Sequence, residues 1–463
     1  MPFHPPGHKQ GKGLHPRLLQ AFPAEAARLD LSITNLNGRR AREEAERLAA
    51  EAYGADRTYF LVNGSSEGVH ALLLTVCNPG DTLIMPRNCH KSVIAACILG
   101  GLRPAYLRPV YDPERHITHN VEPSEVKRLL DSHPAAKAVL LSSPTYYGVG
   151  CDIQAIARMV HGHGLPLLVD EAWGAHFPFH PELPRPALTQ GADAAITSTH
   201  KLLSGFTQAS MLHLRQERIN PSYAHSLRSL LESTSPSCLL LASLDVARMQ
   251  MATGGREPLT RAIELAEAAR EEINAYPPLS CFGMEVEGGP GAASVDPTRL
   301  TVTVRNAGYT GWEAARLLRE RFHIEVDLAD ACNILADITL ADTPDDVRRL
   351  VQAVVTLVQP AELTARRRAS SQGTPSSLPG IPPMRLTPRD AYFAPEERLP
   401  LRRAVGRIAG EMVTPYPPGI PMLCPGEEIT EEVIDYLEEG LAAGMVVSGT
   451  EDPTLGTVKV VRD

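Results

Sequence analysis

Four short segments of the chain carry residue types that can do chemistry together. The first is Asn63-Gly64-Ser65-Ser66-Glu67-Gly68, set between an apolar run and a helical stretch that we place from about Val69. Glycine lets a backbone approach an anion, and serines beside a helix N-terminus donate hydrogen bonds to it. A plain Gly-Ser turn capping a helix reads the same way. The second is Arg87-Asn88-Cys89-His90-Lys91-Ser92, where His90 suits either stacking on a flat ring or capping a helix. The third is Asp170-Glu171-Ala172-Trp173-Gly174-Ala175-His176, directly after the apolar Leu167-Leu168-Val169. A carboxylate ending a buried strand is costly without a partner. A protonated ring nitrogen would be one partner for Asp170, and the amides of a following helix another. The fourth is Ser198-Thr199-His200-Lys201, after Ala194-Ala195-Ile196-Thr197. A lysine there forms an imine once desolvation or a nearby cation depresses its pKa. His200 reads as ligand, acid or mere neighbour.

These segments need a scaffold that gathers them. Between residues 58 and 240, short apolar runs (58–62, 82–85, 138–141, 166–169 and 194–197) alternate with longer helical stretches. That alternation predicts an α/β fold with a mainly parallel, buried sheet. Ligands bind outside the carboxyl ends of the strands in such sheets, and each of the four segments follows a run. Their order is an anion loop, a stacking residue, an aspartate and then a lysine about thirty residues later. It is similar to the order in fold-type I pyridoxal-phosphate (PLP) enzymes. The expected large domain, residues 41–255 after an N-terminal arm (1–40), is therefore PLP-dependent transferase-like, of the aspartate aminotransferase type.

Residues 256–360 change character and predict a smaller α+β domain. It has a helix over 259–275, an alternating strand Leu300-Thr301-Val302-Thr303-Val304, a helix over 311–321 and an apolar run over 333–340. A further helix starts at Thr343-Pro344-Asp345-Asp346, with an N-cap, a first-turn proline and acids near the dipole. Residues 361–383, including Arg366-Arg367-Arg368, have linker composition. Residues 384–463 form a C-terminal α+β unit with a proline-rich turn and an acidic helix over 430–443.

The bulk properties exclude several function classes. With 463 residues, 43% hydrophobic and 21% charged, the chain reads as a soluble protein of two or three domains. A formal net charge of -9 and a pI near 6.0 offer no basic face for nucleic acid. The eight cysteines form no Cys-x-x-Cys pair and no metal spacing, so they read as free thiols in a reducing compartment. No run approaches the roughly 18 apolar residues of a membrane span. The expectation is a cytoplasmic protein with no metal, no membrane and no nucleic-acid partner.

Longer motifs narrow the chemistry. They include Pro6-Gly7-His8-Lys9-Gln10-Gly11, Pro144-Thr145-Tyr146-Tyr147-Gly148, Ser233-Thr234-Ser235-Pro236-Ser237, Tyr416-Pro417-Pro418-Gly419-Ile420-Pro421 and Pro425-Gly426-Glu427. With the four segments above, they make the chain similar to the ornithine/lysine/arginine decarboxylase family in its short form, over nearly the whole length. The resemblance implies PLP as cofactor, with Lys201 as the Schiff-base lysine. It implies that Asp170 pairs with the pyridine nitrogen and that His90 stacks on the ring. Gly64, Ser65, Ser66 and Ser198 would hold the phosphate, and Trp173 would stand beside the cofactor. His200 would assist at the phosphate or, with Lys201, serve as the acid. Thr234 would reach the phosphate site of a neighbouring subunit, in a homodimer or higher even-numbered assembly.

The implied reaction is decarboxylation of a basic amino acid to its amine, as in polyamine biosynthesis, with arginine first, then lysine or ornithine. Glu427 is a candidate for the substrate's cationic end, alongside a structural role in its turn. Two departures from the family stand out. The segment 35–40 runs almost directly into the first helix, which would alter activity or substrate choice. Asp327 stands where relatives carry glutamate, which would change substrate reach. Two alternatives stay open: another fold-type I reaction (an aminotransferase or lyase, with Arg305 as carboxylate clamp), or a non-catalytic homologue.

Overall fold

The computed structural model describes residues 36–358, 379–415 and 420–462. Residues 1–35 of the expected N-terminal arm, most of the linker and the Tyr416-Pro417-Pro418-Gly419 motif lie outside the described residues, whereas residues 36–40, also assigned to that arm, belong to the first helix. After helix α1 (Leu36–Tyr53), seven strands form one sheet: β1 (Arg57–Leu61), β2 (Thr82–Pro86), β3 (Arg103–Leu107), β4 (Ala136–Ser142), β5 (Leu167–Asp170), β6 (Ala194–Thr197) and β7 (Ser210–Leu214). Their order is β1-β7-β6-β5-β4-β2-β3. Strand β7 runs antiparallel to both neighbours, and the other pairings are parallel.

Five of these strands fall where the apolar runs predict them, and two carry no such run. Strand β3 contains Arg103 and Pro104, which an edge strand tolerates because one side needs no ladder bonds. Strand β7 is fully buried yet holds Ser210 and His213. The ring of His213 bonds Thr58 Oγ1 at 2.9 Å and Thr197 Oγ1 at 3.0 Å. Burial pushes its pKa down to about 3, so a neutral imidazole fits the sheet interior.

Helices α2 (Gly64–Val76) and α3 (Lys91–Gly100) cover one face of the sheet near its carboxyl edge. Helix α2 begins at Gly64, not near Val69 as apolar periodicity suggests. Ser65, Ser66 and Glu67 fill its first turn instead of a preceding loop. Gly68 brings the helix close to the sheet: a Cβ there would meet Leu61 Cδ1 at 2.7 Å.

Beyond α4 (Cys238–Gly254) and α5 (Arg256–Asn274), a second, antiparallel sheet forms. Its strands are β8 (Ser280–Cys281), β9 (Arg299–Thr303), β10 (Leu328–Ala329) and β11 (Asn333–Asp337), in the order β8-β9-β11-β10. Helices α6 (Gly311–Phe322) and α7 (Pro344–Thr356) share its core with α5. At the start of α7 the Thr343 hydroxyl accepts from Asp346 N and the Asp346 carboxylate accepts from Thr343 N, the capping box its sequence announces.

The C-terminal residues pair β12 (Glu396–Pro400) with β13 (Thr457–Val461) and pack α8 (Glu431–Ala442) over them through Val433, Ile434, Leu437, Val458 and Val460. A buried ion pair ties this unit to the large sheet. Arg87, just past β2, donates Nη2 to Glu427 Oε2 at 3.1 Å and Nη1 to the Pro421 carbonyl at 2.6 Å. No helix among the described residues is long and apolar enough to cross a membrane.

Candidate active site

The carboxyl edge of the large sheet opens into a cavity of about 800 Å³. Lys201 lies in it on a single helical turn capped by Ser198, directly after β6. Its Nζ is 3.9 Å from the centre of the Trp173 ring and 5.7 Å from that of Tyr146. Burial pushes the Lys201 pKa down to about 8. Asp170 opposes that fall and Arg299 adds to it. Roughly a tenth of the lysine is therefore free amine at pH 7, far more than for an ordinary lysine, and that is the form that attacks a carbonyl.

Asp170 ends β5 and is buried. Its Oδ1 accepts the Ala172 amide at 3.2 Å. Burial raises its pKa, against the pull of Lys201 and that amide. Ala172 lies in a turn and the next helical turn is capped at His176, so Asp170 does not cap a following helix; one amide leaves a buried carboxylate able to take a further N–H.

His90 takes the helix-cap reading, accepting the Ser92 amide on Nδ1 at 3.2 Å at the start of α3, and it also lines the cavity. Burial first, then Lys201 and Lys91, push its pKa down to about 4, so its ring is neutral. A neutral, flat ring suits stacking on an aromatic cofactor.

The anion loop sits at the same edge. Gly64 adopts φ +74° and opens α2, with Ser65 and Ser66 in the first turn. No side chain caps that helix; the Gly64 amide donates to the Gln208 carbonyl at 2.9 Å, and the Ser65 and Ser66 amides of the first turn belong to residues that line the cavity. Ser65 Oγ lies 2.7 Å from Ser198 Oγ and 3.2 Å from Ser210 Oγ. This gathers hydroxyls from both the α2 and β6 segments. His200 donates Nδ1–H to the Ala209 carbonyl at 2.9 Å, which leaves Nε2 as its free ring atom. Together these residues fit PLP: helix amides and hydroxyls for a phosphate, a flat ring for stacking, a buried carboxylate for a pyridine N–H and an amine for the aldehyde. Two cavity-lining polar atoms, Trp173 Nε1 and Ser142 Oγ, are buried without a partner, which a bound group would relieve.

The structure brings together Gly64, Ser65, Ser66, His90, Asp170, Trp173, Ser198, His200 and Lys201. Thr234 is exposed and does not line the cavity of its own chain. Glu427 is corrected: its side chain is fully buried against Arg87 and accepts the Cys424 amide at 2.8 Å, so it faces no ligand. Asp327 is corrected likewise, because it pairs with Arg299 at 3.5 Å and does not line the cavity. Arg305 gives Nη1 to the His116 ring at 3.0 Å and sits 3.8 Å from Cys332 Sγ, outside the cavity lining.

Sequence reasoning missed Arg299, whose Cζ lies 4.0 Å from the centre of the Trp173 ring and whose guanidinium also meets Asp337 and the Tyr146 carbonyl. Its one signal was a charged residue at the head of an apolar strand. It also passed over Tyr146 and Tyr147 as site residues, although they follow β4 just as the other segments follow their strands.

Residues 1–346 match the Orn/Lys/Arg decarboxylase major domain, and residues 375–459 match the C-terminal domain of the same family. An arginine decarboxylase of Bacillus subtilis is 43% identical, aligned over all of this chain and 94% of its own length. One from Bacillus anthracis is 40% identical with the same coverage. Among solved structures, a lysine decarboxylase of Francisella novicida superposes with a TM-score of 0.84 at 21% identity, covering all of this chain and 79% of that one. An alanine–glyoxylate aminotransferase of Nostoc shares the fold over 74% of this chain and 92% of its own, with a TM-score of 0.57 at 17% identity. The strand-end cluster and these full-length matches agree, and the chain belongs to the Orn/Lys/Arg decarboxylase family.

Proposed function

We propose that the protein decarboxylates arginine to agmatine with PLP held on Lys201. The observation that carries this reading is one cavity uniting a lysine of lowered pKa, a buried strand-end carboxylate and an uncapped helix N-terminus. Arginine is favoured over lysine and ornithine because the relatives at 40% identity and above are arginine decarboxylases.

When bound, PLP supplies an imine-forming carbonyl and a protonated ring that accepts the electron pair left as the carboxylate departs. The chain's own groups do the rest. The first-turn amides of α2, with Ser65, Ser66 and Ser198, hold the phosphate. The Asp170 carboxylate keeps a proton on the ring nitrogen. The flat rings of His90 and Trp173 exclude water beside the reacting carbon. Lys201 Nζ would hold the cofactor's carbonyl carbon, and either it or His200 Nε2 would carry a proton to the substrate Cα.

The same reading places the enzyme in a homodimer, with Thr234 serving the partner's phosphate site. Thr234 is exposed, and Phe206, Val246 and Met249 expose apolar side chains nearby in the chain. It also places the enzyme in the cytoplasm, consistent with eight free cysteines. The test is chromatography of products after incubation with arginine, lysine or ornithine and PLP. Agmatine is the expected product, and the absence of any amine would overturn the reading.

A further inference from the structure

Among the described residues, two carboxylates line the cavity: Asp170 and Asp330. They differ in origin and in surroundings. Asp170 ends a strand of the large sheet and has Lys201 as its electrostatic partner. Asp330 follows β10 in the tight turn to β11. Its Oδ1 accepts the amides of Cys332 and Asn333, each at 2.7 Å, its Oδ2 accepts Tyr147 Oη at 2.6 Å, and the Asn333 side-chain Nδ2 donates to both oxygens at 3.2 Å. Those donors fix its position, yet none is a cation.

Two arginines near Asp330 in sequence or in the cavity are committed elsewhere, and a third, Arg108, is an exposed residue at the cavity lining that makes no ion pair with Asp330. Arg305 is turned to His116 and Cys332, and Arg87 to Glu427. Asp330 makes no ion pair among the described residues; Glu427, Asp337 and Asp193 each have an arginine, and Glu67 and Glu171, buried without an ion pair, do not line the cavity. A fixed, enclosed carboxylate that faces open space is a site prepared for a cation. Tyr111 and Tyr436 line the same part of the cavity, with His116 bonded to Tyr111 Oη at 3.2 Å. Aromatic faces beside a carboxylate suit a planar guanidinium better than a compact, strongly hydrated ammonium.

This inference rests on the proposed decarboxylation. Asp170 is taken by the cofactor in that reading, so one cavity carboxylate remains. We infer that Asp330 receives the cationic far end of the substrate and that Tyr111 and Tyr436 shape its surroundings for a guanidinium. Asp330 then determines which basic amino acid is accepted, without touching the bond that breaks.

The test uses PLP-loaded enzyme and two product-like probes that cannot be decarboxylated: agmatine and its neutral urea isostere, carbamoylputrescine. Calorimetry on the wild type should show agmatine binding at least about 100-fold tighter than the urea. Asp330→Asn should lower agmatine affinity about 100-fold and barely move urea binding, with the visible absorbance of the loaded cofactor unchanged. Agmatine affinity within about threefold of wild type would overturn the assignment. Asp330→Glu keeps the charge and lengthens the side chain. It should shift kcat/KM away from arginine toward lysine by about tenfold or more, and an unchanged ratio counts against the inference. The variant readouts do not depend on turnover alone. A wild-type enzyme that releases no CO₂ from arginine, lysine or ornithine would defeat the decarboxylase reading, while agmatine binding would still decide the role of Asp330.

Discussion

The edge of the large parallel sheet and the turn between β10 and β11 each give one carboxylate to the same cavity, by different routes. At the sheet edge, Asp170, Ser198 and Lys201 sit at or just past strand ends, so short contiguous segments place them. In the turn, Asp330 is held by Tyr147, which lies 183 positions away in sequence, and by the backbone of its own loop. The sheet edge carries groups that any reaction of this cofactor class needs. The turn carries the group that discriminates between substrates. Bond chemistry and substrate choice therefore sit on separate elements, and one can change without rebuilding the other.

That division can be broken most forcefully at Lys201. Lys201→Ala should lower turnover by roughly 10³-fold or more and abolish the visible imine band, measured by product formation and absorbance. Asp170→Asn should lower kcat by roughly 10²-fold for arginine and lysine alike, because it acts on the shared chemistry. A loss confined to one substrate would break the comparison. The rate at which apoenzyme takes up PLP should rise about tenfold per pH unit up to about pH 8 and then level off. The sign follows from Lys201: below about 8 its amine is protonated and cannot attack, and above it the free amine dominates. A rise continuing toward pH 10 would show that burial does not depress this lysine.

The smallest expected effect sharpens the other side. Gly311, the first residue of α6, lies so close to the turn that a Cβ would meet the Asn333 carbonyl oxygen at 1.9 Å and that of Asp330 at 2.5 Å. Gly311→Ala must displace that backbone. KM for arginine should rise about fivefold with cofactor loading unchanged, as titration and steady-state kinetics would show. Weakened loading instead would mean that the turn also supports the sheet edge.

Much of the fold was legible because the physics is local. Buried parallel strands are short apolar runs, and five of the seven large-sheet strands show that signal. Strand β7 hid because His213 satisfies its ring nitrogens with Thr58 and Thr197, which lie on its two neighbouring strands. The start of α2 was placed late because Ser65, Ser66 and Glu67 form a helical turn with no apolar periodicity. At the site, the strand-end residues could be named from sequence, whereas the fate of Glu427 could not. Its carboxylate would have looked free without Arg87, 340 positions earlier in the chain.

The sequence by itself determined the family, the alternating architecture and the order of loop, histidine, aspartate and lysine. Those features depend on residue type and near-neighbour spacing. Only the tertiary structure decided which charges are spent and which remain available. It paired Glu427 with Arg87 and Asp327 with Arg299, and it left Asp330 facing the cavity without a cation. The physical reason is that the cost of a buried charge depends on what stands within a few ångströms of it. Those neighbours arrive from distant parts of the chain once the chain has folded.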